Sequence, residues 1–235
     1  MEKERIFRIL NGLKRFVLKA LIVVALASAV CFIYFKEILH LLLKTVGIQV
    51  YYFTFPEVFF SSVEMAIYGG VFFSLPFVIL LLWDEFKDSM GLKPIEGFLF
   101  VAFTIILFYA GSMFCYAIVL KSGIKFLLGY EGNGLKAMIS VEKFLKFAAA
   151  MIFAFGVTFE VPVILLALNK HGIVKAKTLT RTRRYAILLI TIASALITPT
   201  PDVYNMMLLA VPTYFLYEVG ILLMKMSERK AGKVS

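Results

Sequence analysis

Phe155-Gly156-Val157-Thr158-Phe159-Glu160-Val161-Pro162 sets a carboxylate and a proline inside an apolar run at about residues 144–168. A run of that length spans a bilayer, whose hydrocarbon core of about 30 Å takes about 20 helical residues. An acid at the middle of such a helix costs about 2.5 to 3.5 kcal/mol on insertion scales, so it faces a protein interior or a wet cavity and marks function by default. Glu160 is read as a hydrogen-bonding contact to another helix. The plainer reading of the same residue is a packing carboxyl that only holds spans together.

Composition extends the membrane reading to the whole chain. Of 235 residues, 61% are hydrophobic and 24 are phenylalanine, and the mean hydropathy is +0.91. No soluble core absorbs that much apolar surface, so the chain reads as an all-α polytopic membrane protein, one membrane-embedded domain over residues 1–235. The formal charge of +10 is carried by Lys and Arg lying between the apolar runs. That placement speaks for topology and contact with lipid headgroups, and against nucleic acid as a partner. Cys31 and Cys115 lie within apolar spans and make neither a disulfide framework nor a zinc site. His40 and His171 stand near span ends in no metal-ligand spacing. No metal and no cofactor are expected. Without a G-x-S-x-G, H-E-x-x-H or Walker loop, no enzyme is expected either.

Six transmembrane helices are predicted, at about residues 16–35, 63–83, 98–120, 144–168, 185–197 and 203–224. The first follows a basic arm with Lys3, Arg5, Arg8, Lys14 and Arg15. Ala27-Ser28-Ala29 looks like a cleavage site, but the apolar run continues beyond it, so the span is read as uncleaved. Ahead of the second span, Thr54 and Glu57 have capping-box spacing and Pro56 falls in the first turn, which predicts a helix start. Pro76 and Pro212 are expected to bend their helices.

The stretch from Asp84 to Glu96 is read as a connection holding Asp84, Glu85, Asp88 and Glu96 against Lys87 and Lys93, a net charge of −2. A second loop is expected from Lys121 to Lys143, on its glycines and polar residues. Tyr185 to Ile197 offers 13 residues, about 20 Å of helix against about 30 Å of hydrocarbon. The fifth and sixth spans are therefore expected to be short, with the bilayer thinned beside them. Thr198-Pro199-Thr200-Pro201-Asp202 turns the chain between them, and Asp202 is placed to N-cap the sixth. Leaving out Lys19 of the first span and counting Lys146, at the start of the fourth, with the loop before it, segments on the side of the N-terminus carry 17 Lys and Arg against 7 on the other side. The positive-inside rule then puts both termini in the cytoplasm.

The order of prolines and acids over the last three spans is specific. It comprises the stretch from Phe155 to Val163, Arg183-Arg184-Tyr185, Thr198-Pro199-Thr200-Pro201-Asp202-Val203, Leu209-Ala210-Val211-Pro212 and Leu216-Tyr217-Glu218-Val219-Gly220. With these residues the chain resembles the TatC family, the multispanning receptor and core subunit of the twin-arginine protein translocase. The resemblance covers the six-span layout from end to end. It implies a protein of the cell (inner) membrane that binds twin-arginine signal peptides of folded cargo at its cytoplasmic face. It also implies homo- and hetero-oligomers with single-span partner subunits, and export driven by the proton motive force.

The resemblance places Glu96 at the family's peptide-recognition glutamate. Glu85 and Asp88 are the further carboxylates of that acidic stretch, and an arginine pair favours carboxylates in planar, bidentate geometry. Glu160 and Asn205 are the expected intramembrane polar contacts to a partner helix; Met206 stands where many relatives carry glutamine, with Asn205 one position away. Pro56 and Asp202 are the outer-loop residues of structural or functional weight. Gly12 occupies the place of a usual amino-terminal glutamate. On the residues alone, one alternative stays open: an ion-coupled secondary transporter with Glu160 as proton relay. The chain shows no internal repeat, which weakens it.

Overall fold

The structure is a computed structural model describing residues 2–90, 94–129, 138–170, 172–198, 200 and 202–231, with the backbone alone for residues 2–11, 82–83, 85–90, 94–96 and 230–231. Ten α-helices follow one another among the described residues: α1 (Glu2–Ile33), α2 (Phe35–Val46), α3 (Glu57–Met90), α4 (Pro94–Phe114), α5 (Leu120–Leu128), α6 (Val141–Phe159), α7 (Val161–Lys170), α8 (Ala176–Arg181), α9 (Arg183–Ile197) and α10 (Val203–Ala231). A π-helical turn, Cys115–Val119, joins α4 to α5, and two-residue strands lie at Val50–Tyr51 (β1) and Ile139–Ser140 (β2).

Among the described residues, five stretches are long and apolar enough to cross a membrane: Gly12–Ile33, Glu57–Leu81, Gly97–Leu128, Val141–Lys170 and Val203–Arg229. The fifth predicted span, which corresponds to α9, has 15 residues and is not among them. At 1.5 Å per residue it measures about 22 Å. The expectation of a short last span is corrected: α10 has 29 residues and runs past Met224 through Lys225, Glu228 and Arg229. Those residues are good helix formers, so the helix outlasts its apolar stretch.

The same physics corrects two predicted loops. α3 continues through Asp84, Glu85 and Asp88 to Met90, and α4 opens at Pro94, so the Asp84 to Glu96 stretch is helical on both sides of residues 91–93. Proline suits that first position, because its N–H would lack an intrahelical partner anyway. The third apolar run continues through the π-turn into α5, which makes Lys121 and Lys125 helical. The segment between the first and second spans contains α2. Pro76 and Pro212 lie inside α3 and α10 without ending them.

The chain divides into two compact units, residues 1–44, 48–105 and 140–145 forming the first and residues 45–47, 106–139 and 146–235 the second. In the first, α1 packs along α3 through the pair Gly69-Gly70. A Cβ on Gly69 would lie 2.9 Å from the Cys31 sulfur, and one on Gly70 would lie 2.7 Å from the Ser28 backbone nitrogen. Small residues are what let helix backbones approach this closely where lipid removes the hydrophobic drive for association. In the second unit the end of α4 meets α6 by the same device. A Cβ on Gly111 would stand 2.5 Å from the Phe155 carbonyl oxygen, and one on Gly156 2.5 Å from the Phe108 ring. The Ser112 hydroxyl donates to the Ile152 carbonyl across that contact at 3.3 Å. Phe108, Met151, Phe155, Leu209, Ile221 and Met224 are buried in this unit.

Candidate functional site

Glu160 stands at a break in the fourth span, between α6 and α7. Pro162 has no N–H to give the Thr158 carbonyl, so the helical ladder cannot continue unaltered. The turn tightens instead: the Glu160 N–H donates to the Val157 carbonyl at 3.1 Å, and the Glu160 carbonyl accepts the Ile164 N–H at 2.9 Å. Glycine contacts brace the break on both sides. Gly156, one turn before it, fits against Phe108, and Pro162, just after it, lies against Gly220 of α10. Glu160 is half-buried, with its Oε1 atom buried. A carboxyl buried inside an apolar span is costly unless it is hydrogen-bonded.

Asp202 and Asn205 form a second polar centre at the start of α10. Asp202 Oδ1 accepts the Asn205 N–H at 2.7 Å, the N-cap geometry expected from the sequence. The Asn205 side-chain amide donates to Asp202 Oδ2 at 2.9 Å and to the Thr200 hydroxyl at 3.2 Å. Burial pushes the Asp202 carboxyl up, but the Asn205 N–H, the Thr200 hydroxyl and the Asn205 amide outweigh it and hold the group below its ordinary 3.8. Asn205 is fully buried, and its Oδ1 faces Gly123 of α5 with no hydrogen-bond partner among the described residues. The residue named for a partner helix is thus turned into its own unit, while Met206 beside it is half-buried.

Glu85, Asp88 and Glu96, the carboxylates expected from the resemblance to meet a signal peptide, belong to the first unit. Glu85 and Asp88 are three residues apart near the end of α3, on one helix face. Glu96 is in the first turn of α4, where a negative charge complements the helix dipole. The side chains of all three lie outside the described residues, whereas that of Asp84 is exposed. Pro56 is exposed just before α3, and its carbonyl accepts the Phe60 N–H at 3.0 Å. Glu57 reaches back as a capping-box glutamate should: its Oε2 accepts the Phe53 N–H at 2.7 Å and the Thr54 N–H at 3.3 Å. Its other oxygen accepts the Ser140 hydroxyl at 2.5 Å. Cys31 and Cys115 are buried free thiols and His40 is exposed, while His171 and Gly132–Gly134 lie outside the described residues.

The chain that carries this arrangement has relatives of known family. The family profile described as "Sec-independent protein translocase protein (TatC)" matches residues 8–212. The chain belongs to the TatC family. It is a multi-pass membrane protein and a translocase subunit, not an enzyme. The TatC protein of Carboxydothermus hydrogenoformans is 30% identical over 231 residues, covering 96% of this chain and 94% of that protein. That of Aquifex aeolicus is 30% identical over 181 residues, covering 76% and 75%. Among solved structures, one described as the crystal structure of the twin-arginine translocase receptor TatC superimposes with a TM-score of 0.81 at 27% identity, over 93% of this chain and 99% of that one.

Within this TatC fold, sequence reasoning overlooked several polar contacts. Arg183 donates to Glu218 at 2.7 Å, and the Tyr214 hydroxyl donates to the other Glu218 oxygen at 2.8 Å. Glu228 accepts the Asn169 side-chain amide at 2.7 Å and the Ala176 N–H at the start of α8 at 3.0 Å. Glu64, half-buried and two turns into α3, is a further acid within a span. Its signal was legible, since it interrupts an apolar run as Glu160 does. The Arg183 and Glu228 contacts join residues 35 or more positions apart, and nothing in local sequence announces them.

Proposed function

We propose that this chain is the signal-peptide receptor and core scaffold of a twin-arginine translocase. The observation that carries the reading is its likeness, along nearly its whole length, to a solved receptor of that translocase. On this reading Glu96, with Glu85 and Asp88, receives the arginine pair of the signal peptide at the cytoplasmic face, as a carboxylate accepts a guanidinium in two parallel hydrogen bonds. Glu160 meets a polar side chain of a single-span partner subunit, and the assembly exports folded cargo using the proton motive force. α9 is the fifth of six spans, crossing a locally thinned bilayer, and both termini are cytoplasmic. Asn205 serves this reading by shaping the start of α10 from within, Pro56 and Asp202 by terminating the loops that precede α3 and α10.

The ion-coupled transporter alternative gives way to the family membership. The deciding experiment is crosslinking of the purified chain to a peptide carrying a Ser-Arg-Arg signal, beside a twin-lysine control. Preferential labelling by the arginine peptide is expected; equal labelling by both would overturn the receptor reading.

A further inference from the structure

Between Lys44 and Glu57 the chain carries no charged residue, yet it holds Tyr51, Tyr52, Phe53 and Phe55. These aromatics point outward: Tyr52 is 65% exposed, Phe53 59% and Phe55 97%. Their exposure is built by the backbone around them. The Phe53 and Thr54 N–H groups both donate to the buried Glu57 carboxylate, which Ser140 holds from its other side. With the polar backbone tied inward, the rings are left on the surface.

We infer that the Tyr51–Phe55 segment is an interfacial anchor that inserts its aromatic side chains into the bilayer surface at the end where α3 begins. The occupant follows from continuity. Exposed Phe59, Phe60, Ile67, Phe73 and Phe77 run along α3 from the same end, and on a membrane-spanning helix such a surface faces lipid. The apolar stretch Glu57–Leu81 has 25 residues, about 37 Å of helix against a hydrocarbon core of about 30 Å. The start of α3 therefore emerges into the headgroup layer, and the segment just before it lies at that depth. Tyrosine is enriched in that layer, because its ring is apolar and its hydroxyl wet. A charge-free aromatic segment is what that layer selects; a water-facing connection of the same length carries charge.

The test uses the full-length chain in phosphatidylcholine vesicles, with its only tryptophan removed by Trp83→Phe and a reporter introduced by Phe55→Trp. Phe55 touches little of its own protein, so the exchange leaves packing intact, and Tyr52→Trp provides a second reporter. Nitroxide lipids labelled at the headgroup or at a shallow acyl carbon should quench both reporters at least twice as strongly as deep-labelled lipid, with aqueous iodide quenching them several-fold less than a free indole. Full quenching by iodide with none by lipid would place the segment in water and overturn the inference. Protection from both quenchers would also overturn it, by showing that protein covers the segment.

Discussion

Pro162 of α7 and Gly220 of α10 touch backbone to backbone: a Cβ on Gly220 would lie 3.2 Å from the Pro162 Cα and 2.7 Å from Leu165 Cδ1. The contact couples the helix that follows Glu160 to the last span. The proline interrupts one helix, and the glycine lets the neighbouring helix close on the interruption.

We predict that Gly220→Val destabilises the second unit by about 1 to 3 kcal/mol, the usual cost of overpacking. Gly220→Ala should be milder, since Leu165 presents the movable end of its side chain. Thermal unfolding of the purified variants in detergent checks this. A valine variant as stable as the parent would show that the contact is not a tight one.

Asp202 should stabilise the start of α10 in a pH-dependent way. Its folded-state pKa is lowered, so its contribution is present above the unfolded value near 3.8 and is lost as pH falls through the folded value. Asp202→Ala should cost about 0.5 to 2 kcal/mol at neutral pH. Asp202→Asn, also a good cap, should cost less. Unfolding curves at pH 7 and pH 3 should bring parent and Asp202→Asn closer together at the lower pH, and an unchanged gap would contradict the assignment.

Glu160→Ala should weaken co-purification with a single-span partner subunit, whereas Glu160→Gln should retain most of it, because glutamine keeps the hydrogen-bonding capacity. Neither should unfold the chain. If glutamine proves as damaging as alanine at equal expression, ionisation at Glu160 is what the partner requires.

On the proposed function, variants at Glu96 should separate recognition from assembly. Loss of a charge-assisted hydrogen bond costs about 1.5 to 3 kcal/mol, so Glu96→Gln should weaken twin-arginine peptide binding by about one to two decades. Glu96→Lys should weaken it further by repulsion while leaving partner association intact. Titration of labelled peptide onto the solubilised variants measures this; undiminished affinity in Glu96→Lys would remove Glu96 from the site and leave Glu85 and Asp88 to test.

The sequence by itself determined the membrane class, the places of the apolar runs though not the length of the last one, the helix start after Pro56 and the cap at Asp202. Each of these depends on hydropathy or on residues within a turn of one another, so local order is enough to encode it. Where the helices ended was less legible. Polar helix formers carry α3 to Met90 and α10 to Ala231, beyond the apolar limits by which the spans were drawn. The direction of a polar side chain was not legible at all. Asn205 and Glu160 look alike as polar groups in apolar runs, yet the structure buries the amide against Gly123 and sets the acid at a break braced by Gly156 and Gly220. Only tertiary structure decided that, because it depends on which helices approach closely enough to cover a side chain. The Ser140–Glu57 hydrogen bond, joining positions 83 apart, has the same origin: its energy exists only once the fold has brought the two groups within reach.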